Sequence, residues 1–380
     1  MNICVLADCY PSTNNNGGIF VAQLCDKMVD LGHEVVYIAP QSLTKSFIRK
    51  KGLNPSHFYH KTKKGNIVIV YQPYIITFGN IRFLKSLNRL FFKHAVFKVL
   101  KKCTNHVDVF YGHFWHNAYV LYQLIKNTKK PLFVATGESE ILLHKKISNK
   151  QKLKFCNYVR GVICVSSKNK SESIEKGLTV SQKCIVVPNS VDMSVFCKKD
   201  KAVCRKKLHI VDSDFVIAFV GAFTDRKGVQ RLSDAIKRLQ DPNIKVFFIG
   251  QGGISPDCDG IIYCGFLSHS DIVDYLNSAD IFVLPTLAEG CCNAIIEAMA
   301  CGLPIVSSDL PFNYDVLNRH NSILIDPNNE CEIMKAIRKL QNNTNLREKL
   351  GRGALLTVEQ LTLERRSNRI CDFIKDSCGW

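Results

Sequence analysis

The chain has 380 residues, more than one compact hydrophobic core usually organises, so we expect two domains. Hydrophobic residues make up 46% and charged residues 22% of the chain, which is ordinary for a globular protein and excludes a disordered one. The net charge of +18 is confined to one half, because residues 1–190 hold 28 Lys+Arg against 9 Asp+Glu while residues 191–380 hold 23 against 24. We therefore expect a basic N-terminal surface and a nearly neutral C-terminal one.

The cysteine pattern excludes a disulfide scaffold. There are seventeen cysteines, an odd number, with no C-x-x-C pair and no signal peptide before the first predicted strand. No apolar stretch approaches the roughly 20 residues that a membrane-spanning helix needs. We therefore expect a cytoplasmic protein without a metal site, either soluble or lying on a membrane surface.

Short apolar runs alternate with helix-length amphipathic segments along most of the chain. Strands are predicted at 2–7, 34–39, 67–71, 107–111, 131–135, 162–166, 184–187, 214–220, 245–249, 261–264, 280–284, 304–307 and 322–325. Helices are predicted at 18–31, 115–127, 168–177, 228–240, 293–301 and 330–341. The alternation predicts parallel sheets covered by helices on both faces. It restarts near residue 214, after a lysine-rich connection, so we expect two doubly wound α/β domains with a ligand site at the carboxyl ends of the strands.

The first strand-to-helix connection contains a glycine pair. Gly17 and Gly18 stand immediately before a predicted helix, where their small size would let the backbone approach a phosphate. Glycine is also common in tight turns for steric reasons alone, so both interpretations stay open. The spacing does not match G-x-G-x-x-G, which argues against a nicotinamide-dependent enzyme.

Residues 80–102 form a basic amphipathic segment without a single acid. Helices of this kind are typical of proteins that dock on anionic membranes, where each basic side chain contributes about 1 kcal/mol. A domain helix that packs its apolar face on a sheet is an equally good interpretation. Further lysines between residues 45 and 64 tip the balance towards a membrane-facing N-terminal domain. The residues predicted to face the membrane are Arg82, Lys85, Arg89 and Lys93.

Two adjacent cations open a helix in the C-terminal half. The strand predicted at 214–220 is followed by Gly221, and Arg226 and Lys227 then begin the next helix, where the helix dipole disfavours positive charge. A phosphate held between the two cations would remove this conflict. A solvated surface turn is the alternative, and the unfavourable placement of the charges argues against it.

Residues 285–304 contain the most specific pattern, a strand that runs into a loop and then into a short helix. We expect Asn293 to cap this helix and the amides from Cys291 to Ala294 to form an anion site suited to a diphosphate. Glu289 lies on the loop and Glu297 one turn inside the helix, where both could accept hydrogen bonds from sugar hydroxyls. Either acid alone could be a surface charge, but the loop, cap and spacing together favour binding.

Together these segments resemble the retaining family 4 glycosyltransferases, which have the GT-B fold. The resemblance runs from residue 2 to about 327, and its most specific part is the E-x7-E pair followed by A-M-A-C-G-L-P. The segments concerned are Gly17-Gly18, Gly32-His33-Glu34-Val35, Val187-Pro188-Asn189-Ser190-Val191-Asp192, Arg226-Lys227-Gly228 and Glu289 to Glu297. The resemblance implies two doubly wound Rossmann-like domains facing each other across a cleft. It implies an acceptor domain at 1–192, a nucleotide-sugar domain at 193–358, and a C-terminal helix in 359–380 that packs back towards the first domain.

The resemblance also implies roles for individual residues. Arg226 and Lys227 would neutralise the donor diphosphate and stabilise it as leaving group, and Glu289 would bind hydroxyls of the donor sugar, with His113 nearby. Glu297 would bind the ribose. The other implied donor-binding residues are Gly17, Gly18, Gly221, Leu267, Cys291, Cys292 and Asn293. The reaction would retain the anomeric configuration by front-face attack, with no metal and no cofactor besides the nucleotide-sugar substrate.

The chain departs from the family pattern in two places that bear on substrates. A frequent His-Gly is replaced by Thr136-Gly137-Glu138, and we expect Glu138 on the acceptor side. Cys291 and Cys292 replace a frequent aromatic residue and Pro or Gly, which leaves the donor sugar open.

We therefore expect a retaining glycosyltransferase that moves a sugar from a nucleotide-sugar, with UDP-sugars favoured, to a lipid-linked sugar acceptor. The setting would be surface polysaccharide or glycan biosynthesis on the inner face of the cell membrane. One alternative is a glucosyltransferase that modifies nucleic acid, although the basic residues alternate with an apolar stripe and not with stacking aromatics. A second is a non-catalytic nucleotide-sugar-binding protein, which the complete set of donor-site charges disfavours. A third is a hydrolysing sugar epimerase, against which E-x7-E argues.

Overall fold

The computed structural model describes residues 1–12, 17–49, 52–79 and 84–380, which form two compact units. The first unit comprises Met1–Val165, Asn169–Val187 and Ser367–Trp380, and the second comprises Ser166–Lys168 and Pro188–Arg366. The boundaries therefore differ from those at 192 and 358 that the sequence suggests. The reason is local pairing, because Val191 forms a β-bridge with Thr362 and keeps both connecting segments in the second unit.

The first unit is built on an eight-stranded sheet. The strands of this sheet are β1 (Asn2–Leu6), β2 (Glu34–Ile38), β4 (His57–Lys61), β5 (Ile67–Tyr71), β7 (Val109–His113), β8 (Leu132–Thr136), β9 (Val159–Cys164) and β10 (Cys184–Val186). Two short strands, β3 (Gln41–Ser42) and β6 (Tyr74–Ile75), pair separately. Its helices are α1 (Ile19–Asp30), α2 (Leu43–Arg49), α3 (Lys85–Cys103), α4 (Trp115–Ile125), α5 (Asn149–Tyr158) and α6 (Ser167–Glu175). The sheet order is β10-β9-β8-β7-β1-β2-β5-β4, and only β4 runs antiparallel to its neighbour.

Strand β1 shows why the first sheet is buried on both faces. Ile3 and Val5 point into one hydrophobic core, whereas Cys4 and Leu6 point into the other. All four side chains are at most 1% exposed. Such an unbroken apolar run is what a parallel strand covered by helices on both sides requires.

The second unit has a six-stranded, fully parallel sheet. Its strands are β11 (Phe215–Val220), β12 (Ile244–Ile249), β13 (Ile261–Gly265), β14 (Ile281–Leu284), β15 (Ile305–Ser308) and β16 (Ser322–Ile325). The remaining helices are α7 (Lys201–Lys207), α8 (Val229–Leu239), α9 (Ile272–Ser278), α10 (Asn293–Ala300), α11 (Glu330–Gln341), α12 (Thr344–Val358) and α13 (Leu363–Cys378). The strand order is β13-β12-β11-β14-β15-β16, so the chain adds strands on one side of β11 and then, from β14 onwards, on the other side. In such sheets ligands bind at the carboxyl ends of the strands where the order changes side, here between β11 and β14.

Helix α13 belongs mainly to the first unit. Ile370, Cys371 and Ile374 are at most 2% exposed and join the same core as Ile3 and Val5 of β1. The C-terminal helix therefore packs on one face of the first sheet.

Helix α3 combines the two interpretations of the basic amphipathic segment. Val96, Val99 and Leu100 pack into the core, whereas Leu90 is 60% exposed. Helix α3 therefore packs its C-terminal half and exposes its N-terminal half. No helix among the described residues combines the length and the apolarity needed to cross a bilayer.

Only part of the predicted membrane-facing set can be placed. Arg89 is exposed and Lys93 is partly buried. Arg82 lies outside the described residues, as does the side chain of Lys85.

Candidate functional site

Two loops meet at the reversal point of the second sheet. One follows β11 and leads through a single 3-10 turn, Asp225–Lys227, into α8, and the other follows β14 and leads into α10. The amide of Leu287 donates to the carbonyl of Arg226 at 2.8 Å, which ties the loops together. Because β11 and β14 are neighbours, their carboxyl ends bring side chains from distant parts of the sequence to one place.

The loops are held in register by a glycine and an arginine. Gly228 adopts φ +77°, and a Cβ there would lie 2.3 Å from the carbonyl oxygen of Pro285. Arg231 donates to the carbonyl oxygens of Pro285 at 3.0 Å and Asp225 at 2.8 Å, and pairs with the Asp225 carboxylate at 2.8 Å. The backbone of the cation-bearing turn is therefore fixed before any ligand binds.

Glu289 is the centre of the charged cluster between the loops. Its Oε1 lies 2.7 Å from Arg226 Nη1 and 2.7 Å from Lys227 Nζ, and accepts a hydrogen bond from Thr286 Oγ1 at 2.9 Å. Glu289 is 8% exposed. The structure thus brings together three of the predicted site residues, and it adds Thr286, whose role depends on the folded loop and leaves no signal in the sequence.

The pKa of Lys227 reflects this environment. Burial lowers the pKa of its ammonium group, but the Cys292 sulfur, once ionised at high pH, and the Glu289 carboxylate outweigh burial and leave the pKa raised. Lys227 is therefore a permanent cation in a largely buried position. Such a group stabilises negative charge more strongly than it would in water, because the surroundings screen it less.

The N-terminus of α10 faces the same place, but its cap differs from the prediction. Cys292, and not Asn293, is the N-cap residue, and Asn293 is the first residue of the helix. The loop backbone is extended at Cys292, with φ −80° and ψ 114°, and turns helical only at Asn293. The Asn293 Oδ1 atom is buried without a hydrogen-bond partner in the described structure.

Two cysteines line the start of this helix. Cys292 Sγ lies 3.7 Å from Lys227 Nζ, and burial raises its pKa despite the opposing effect of Lys227 and of the amides of Ile295 and Ala294. Cys291 is also buried, which raises its pKa to about 12, and its carbonyl accepts a hydrogen bond from Asn189 Nδ2 at 2.9 Å. Both thiols are therefore neutral, compact side chains.

Glu297 lies one helical turn inside α10 and is 5% exposed. Its Oε1 is 2.9 Å from His269 Nε2, and the His269 ring packs edge-on against the buried Phe196 at 4.8 Å between ring centres. Leu267, two residues before His269, is partly exposed after the end of β13. Sequence reasoning missed His269, because only the fold brings this loop next to α10.

Gly221, which follows β11 directly, is the last predicted site residue of the second unit. A Cβ at this position would approach the Lys227 side chain to 3.4 Å, which is ordinary contact. The residue therefore lies beside the buried cation, and the local backbone does not demand a glycine.

In the first unit, His113 is the last residue of β7. Strand β7 lies next to β1, at the point where the strand order of the first sheet changes side. Asn117 Nδ2 donates to Asp8 Oδ1 at 2.8 Å and to the carbonyl of His113 at 2.7 Å, which joins the ends of the two strands. Phe114 follows with φ +74° and ψ 151°, a backbone conformation that is strained for any residue but glycine. Strain of this kind is concentrated at functional sites.

Glu138 accepts three hydrogen bonds from its surroundings in the first unit. The donors are the Trp115 amide at 2.7 Å, Thr136 Oγ1 at 2.6 Å and the Gly137 amide at 3.0 Å. Burial raises the pKa of its carboxyl group, and these hydrogen bonds oppose the rise. Its visible contacts therefore fix the start of α4 next to His113.

The glycine pair opens α1. Gly18 is the N-cap residue with φ +82°, and a Cβ there would lie 2.4 Å from the carbonyl oxygen of Cys9. Gly17 precedes it, and the residues before it, 13–16, lie outside the described structure. Close packing against the loop after β1 is thus sufficient to require glycine at position 18.

Two adjoining cavities open in the first unit. The larger, of about 850 Å³, is lined by Asp8, Cys9 and Tyr10 after β1 and by polar side chains that include Asn54 and Gln72. The smaller, of about 420 Å³, lies between α3, α4 and the segment 143–151. Their linings share two residues, Arg89 and His116.

Comparison with known families assigns the chain. The family described as "Glycosyltransferase Family 4" matches residues 17–195, and the one described as "Glycosyl transferases group 1" matches residues 200–356. The chain belongs to the family 4, group 1 glycosyltransferases. It is therefore an enzyme of the glycosyltransferase class, as the sequence resemblance predicted.

Curated relatives match over most of their length. The chain is 26% identical to the putative teichuronic acid biosynthesis glycosyltransferase TuaC of Bacillus subtilis, with 90% of each chain covered. It is 24% identical to the N,N'-diacetylbacillosaminyl-diphospho-undecaprenol alpha-1,3-N-acetylgalactosaminyltransferase of Campylobacter jejuni, with 86% of each chain covered.

Solved structures confirm the predicted GT-B fold. Sucrose-phosphate synthase from Thermosynechococcus elongatus superposes with a TM-score of 0.78 at 17% identity, covering 100% of this chain and 99% of that one. Anabaena HepE in complex with UDP superposes with a TM-score of 0.73 at 17% identity, covering 99% and 100%.

Proposed function

We propose that this glycosyltransferase transfers a sugar from a nucleotide-sugar, with UDP-sugars favoured, to a lipid-linked sugar acceptor, with retention of anomeric configuration. The observation on which this rests is the cluster of Arg226, Lys227 and Glu289 at the N-terminus of α10, with Glu297 buried one turn further along. Two cations and a helix N-terminus favour a diphosphate, and two acids favour hydroxyl groups.

The donor replaces one anion with another. In the free enzyme the Glu289 carboxylate is the counter-ion of both cations. When the donor binds, its diphosphate takes over that role next to Arg226, Lys227 and the amides that open α10. Glu289 then accepts hydrogen bonds from the donor sugar, while Glu297 accepts them from the ribose, its carboxylate oriented by His269.

Transfer breaks the bond from the anomeric carbon to the diphosphate oxygen and forms one to the acceptor oxygen on the same face of the sugar. The acceptor proton passes to the departing diphosphate. Lys227 and Arg226 stabilise the negative charge that develops on that leaving group, which is the charge a divalent metal ion would otherwise balance. We therefore propose that the reaction needs no metal.

The acceptor side is proposed for the first unit. The larger cavity offers polar groups around Asp8 at the carboxyl end of β1, next to the strained connection after His113. The names of the relatives, which concern teichuronic acid biosynthesis and a diphospho-undecaprenol-linked sugar, support an acceptor of surface-polysaccharide type. Such an acceptor would place the enzyme at the inner face of the cell membrane, with the basic first unit towards the lipid.

The test is a transfer assay with purified enzyme, UDP-glucose, UDP-galactose or UDP-N-acetylglucosamine, and a polyprenyl-diphosphate-linked sugar. We expect transfer from one UDP-sugar, unaffected by EDTA, and an α-linked product from the α-linked donor by NMR. An inverted product, or activity that EDTA abolishes and magnesium restores, would refute the mechanism. Binding to duplex or single-stranded nucleic acid without transfer to lipid-linked sugar would favour the nucleic-acid alternative.

A further inference from the structure

The smaller cavity of the first unit is strongly basic. Its lining includes Arg89 and Lys93 from α3 and Lys146 from the segment before α5, and the described residues contribute no aspartate or glutamate to it. Among the residues that the structure describes, none of these three side chains has an ion pair. Three cations around one cavity of about 420 Å³ repel each other, and an anion between them would remove that repulsion.

The other lining residues complete an amphipathic site. Gln123, Gln151 and Tyr119 offer hydrogen-bonding groups, while Leu143 and Ile147 form an apolar wall. Such a mixture suits a ligand that carries a phosphate on an apolar chain better than it suits a free inorganic ion.

Exposed leucines lie on the segments that line the cavity. Leu90 lines the cavity and is 60% exposed, Leu87 lies one turn earlier on α3 and is 38% exposed, and Leu142 precedes the apolar wall and is 40% exposed. These side chains offer a path for a hydrocarbon chain beside the three cations.

The positive field reaches the residue that joins the two cavities. Burial lowers the pKa of His116, and Lys146 and Arg89 lower it further, while Asp8 in the larger cavity opposes the effect. His116 and Arg89 line both cavities, so a ligand can occupy the two together.

We propose that Arg89, Lys93 and Lys146 bind the diphosphate of the lipid-linked acceptor, with its sugar in the larger cavity and its lipid chain along Leu87, Leu90 and Leu142. The proposal rests on the proposed function, and it names the group by which the enzyme recognises its acceptor. The shared wall of the cavities favours the acceptor over a membrane phospholipid, because only the acceptor carries a sugar and a diphosphate on one chain.

The first experiment measures binding of farnesyl diphosphate by calorimetry, with farnesol and inorganic pyrophosphate as comparison ligands. We expect farnesyl diphosphate to bind more tightly than either. Lys93→Ala and Lys146→Ala should each weaken its binding about tenfold, which is 1.4 kcal/mol. Lys98→Ala is the matched control, because Lys98 is exposed on the same helix but lies outside the lining.

Three results would overturn the proposal. The first is farnesyl diphosphate binding no tighter than farnesol, and the second is an equal loss of affinity in Lys98→Ala, which would indicate unspecific charge attraction. The third is that Lys93→Ala and Lys146→Ala lose binding to phosphatidylglycerol vesicles but keep that of farnesyl diphosphate, which would assign the cations to the membrane surface.

Failure of the proposed function is recognised separately. UDP binding by the second unit should be unchanged in Lys93→Ala and Lys146→Ala. If UDP does not bind the wild-type enzyme at all, the donor assignment is wrong whatever farnesyl diphosphate does.

Discussion

Around Glu289 in the second unit, two cations lie 2.7 Å from one buried carboxylate oxygen, whereas Arg89, Lys93 and Lys146 in the first unit have no ion pair among the described residues. In the first arrangement the protein supplies its own anion and keeps the cations in place before the ligand arrives. In the second, no side chain of the described part of the chain pairs with the cations, so an incoming anionic ligand would balance them.

The difference has energetic consequences. Removing one partner of a buried ion pair leaves the other charge uncompensated, whereas removing a solvated cation leaves nothing unpaired. Substitutions in the second unit should therefore disturb catalysis and stability together, and substitutions in the basic cavity should change binding alone.

The largest effect is expected for Lys227→Ala. Loss of the buried cation that is proposed to stabilise the leaving group should lower kcat by about 10²–10³. The control is Lys237→Ala on α8, because Lys237 pairs with Asp257 on the exposed surface. This control variant should keep near wild-type activity. A kcat for Lys227→Ala within threefold of wild type would contradict the role assigned to this residue.

Glu297→Gln should weaken UDP binding by about tenfold or more, because the variant would lose the charge-assisted hydrogen bonds proposed between Glu297 and the ribose. The dissociation constant is measured by calorimetry. Glu348→Gln serves as control, since Glu348 pairs with Arg352 on the exposed surface of α12. Equal UDP affinity in both variants would remove Glu297 from the donor site.

Glu138→Gln should lower the free energy of unfolding by about 1–2 kcal/mol, because an amide nitrogen then faces the donors from Trp115, Thr136 and Gly137. The free energy of unfolding is measured by chemical denaturation. Glu140 lies in the same loop, but it is exposed and pairs with the exposed Lys145, so Glu140→Gln should change stability by less than about 0.5 kcal/mol.

The pH dependence of this effect follows from the raised pKa of Glu138. The folded state binds the proton more readily than the unfolded state, whose pKa is near 4.5, so wild-type stability falls as the pH rises from there through the folded-state pKa. Glu138→Gln has no titrating group at this position, so the difference in free energy of unfolding between wild type and variant should become smaller over the same pH range. A deficit that widens with pH would show that the ionised carboxylate is the favoured form.

Lys93→Ala and Lys146→Ala should have the smallest effect on folding, within about 0.5 kcal/mol of wild type. Neither side chain loses an ion pair, since the described residues provide none. Destabilisation above about 1 kcal/mol would mean that these lysines support the fold, and the contrast between the two units would fail.

Most of the fold could be predicted from the sequence, because buried parallel strands are continuous apolar runs. Each of the thirteen predicted strands corresponds to a strand of the structure within a few residues. Strand β4, His57–Lys61, was missed because this edge strand is largely polar and alternates between exposed and half-buried positions. Helix α7 was read as part of a lysine-rich connection, although Asp200 caps it by accepting hydrogen bonds from two amides.

The site could be predicted where its residues lie in one motif and not where only the fold joins them. Arg226 with Lys227, and Glu289 with Glu297, are neighbours within their own segments. Arg231 and His269 act through contacts between segments, and Thr286 also donates to the Arg226 carbonyl on the other loop, so no local pattern reveals these contacts.

The cap of α10 shows a limit of propensity. Asparagine is the better N-cap residue in isolation, yet the helix begins at Asn293 with Cys292 as its cap. The loop geometry therefore decided the helix boundary, and the local preference did not.

The most direct test of the account is the thermal unfolding of the wild-type enzyme with UDP, GDP, ADP and CMP, each with EDTA and with magnesium. At a hundred times its dissociation constant, a ligand should stabilise the folded state by about 2.7 kcal/mol. We predict a clear shift with UDP that magnesium does not alter. No shift with any of the four nucleotides, or a shift that appears only with magnesium, would contradict a donor site built from Arg226, Lys227 and the N-terminus of α10.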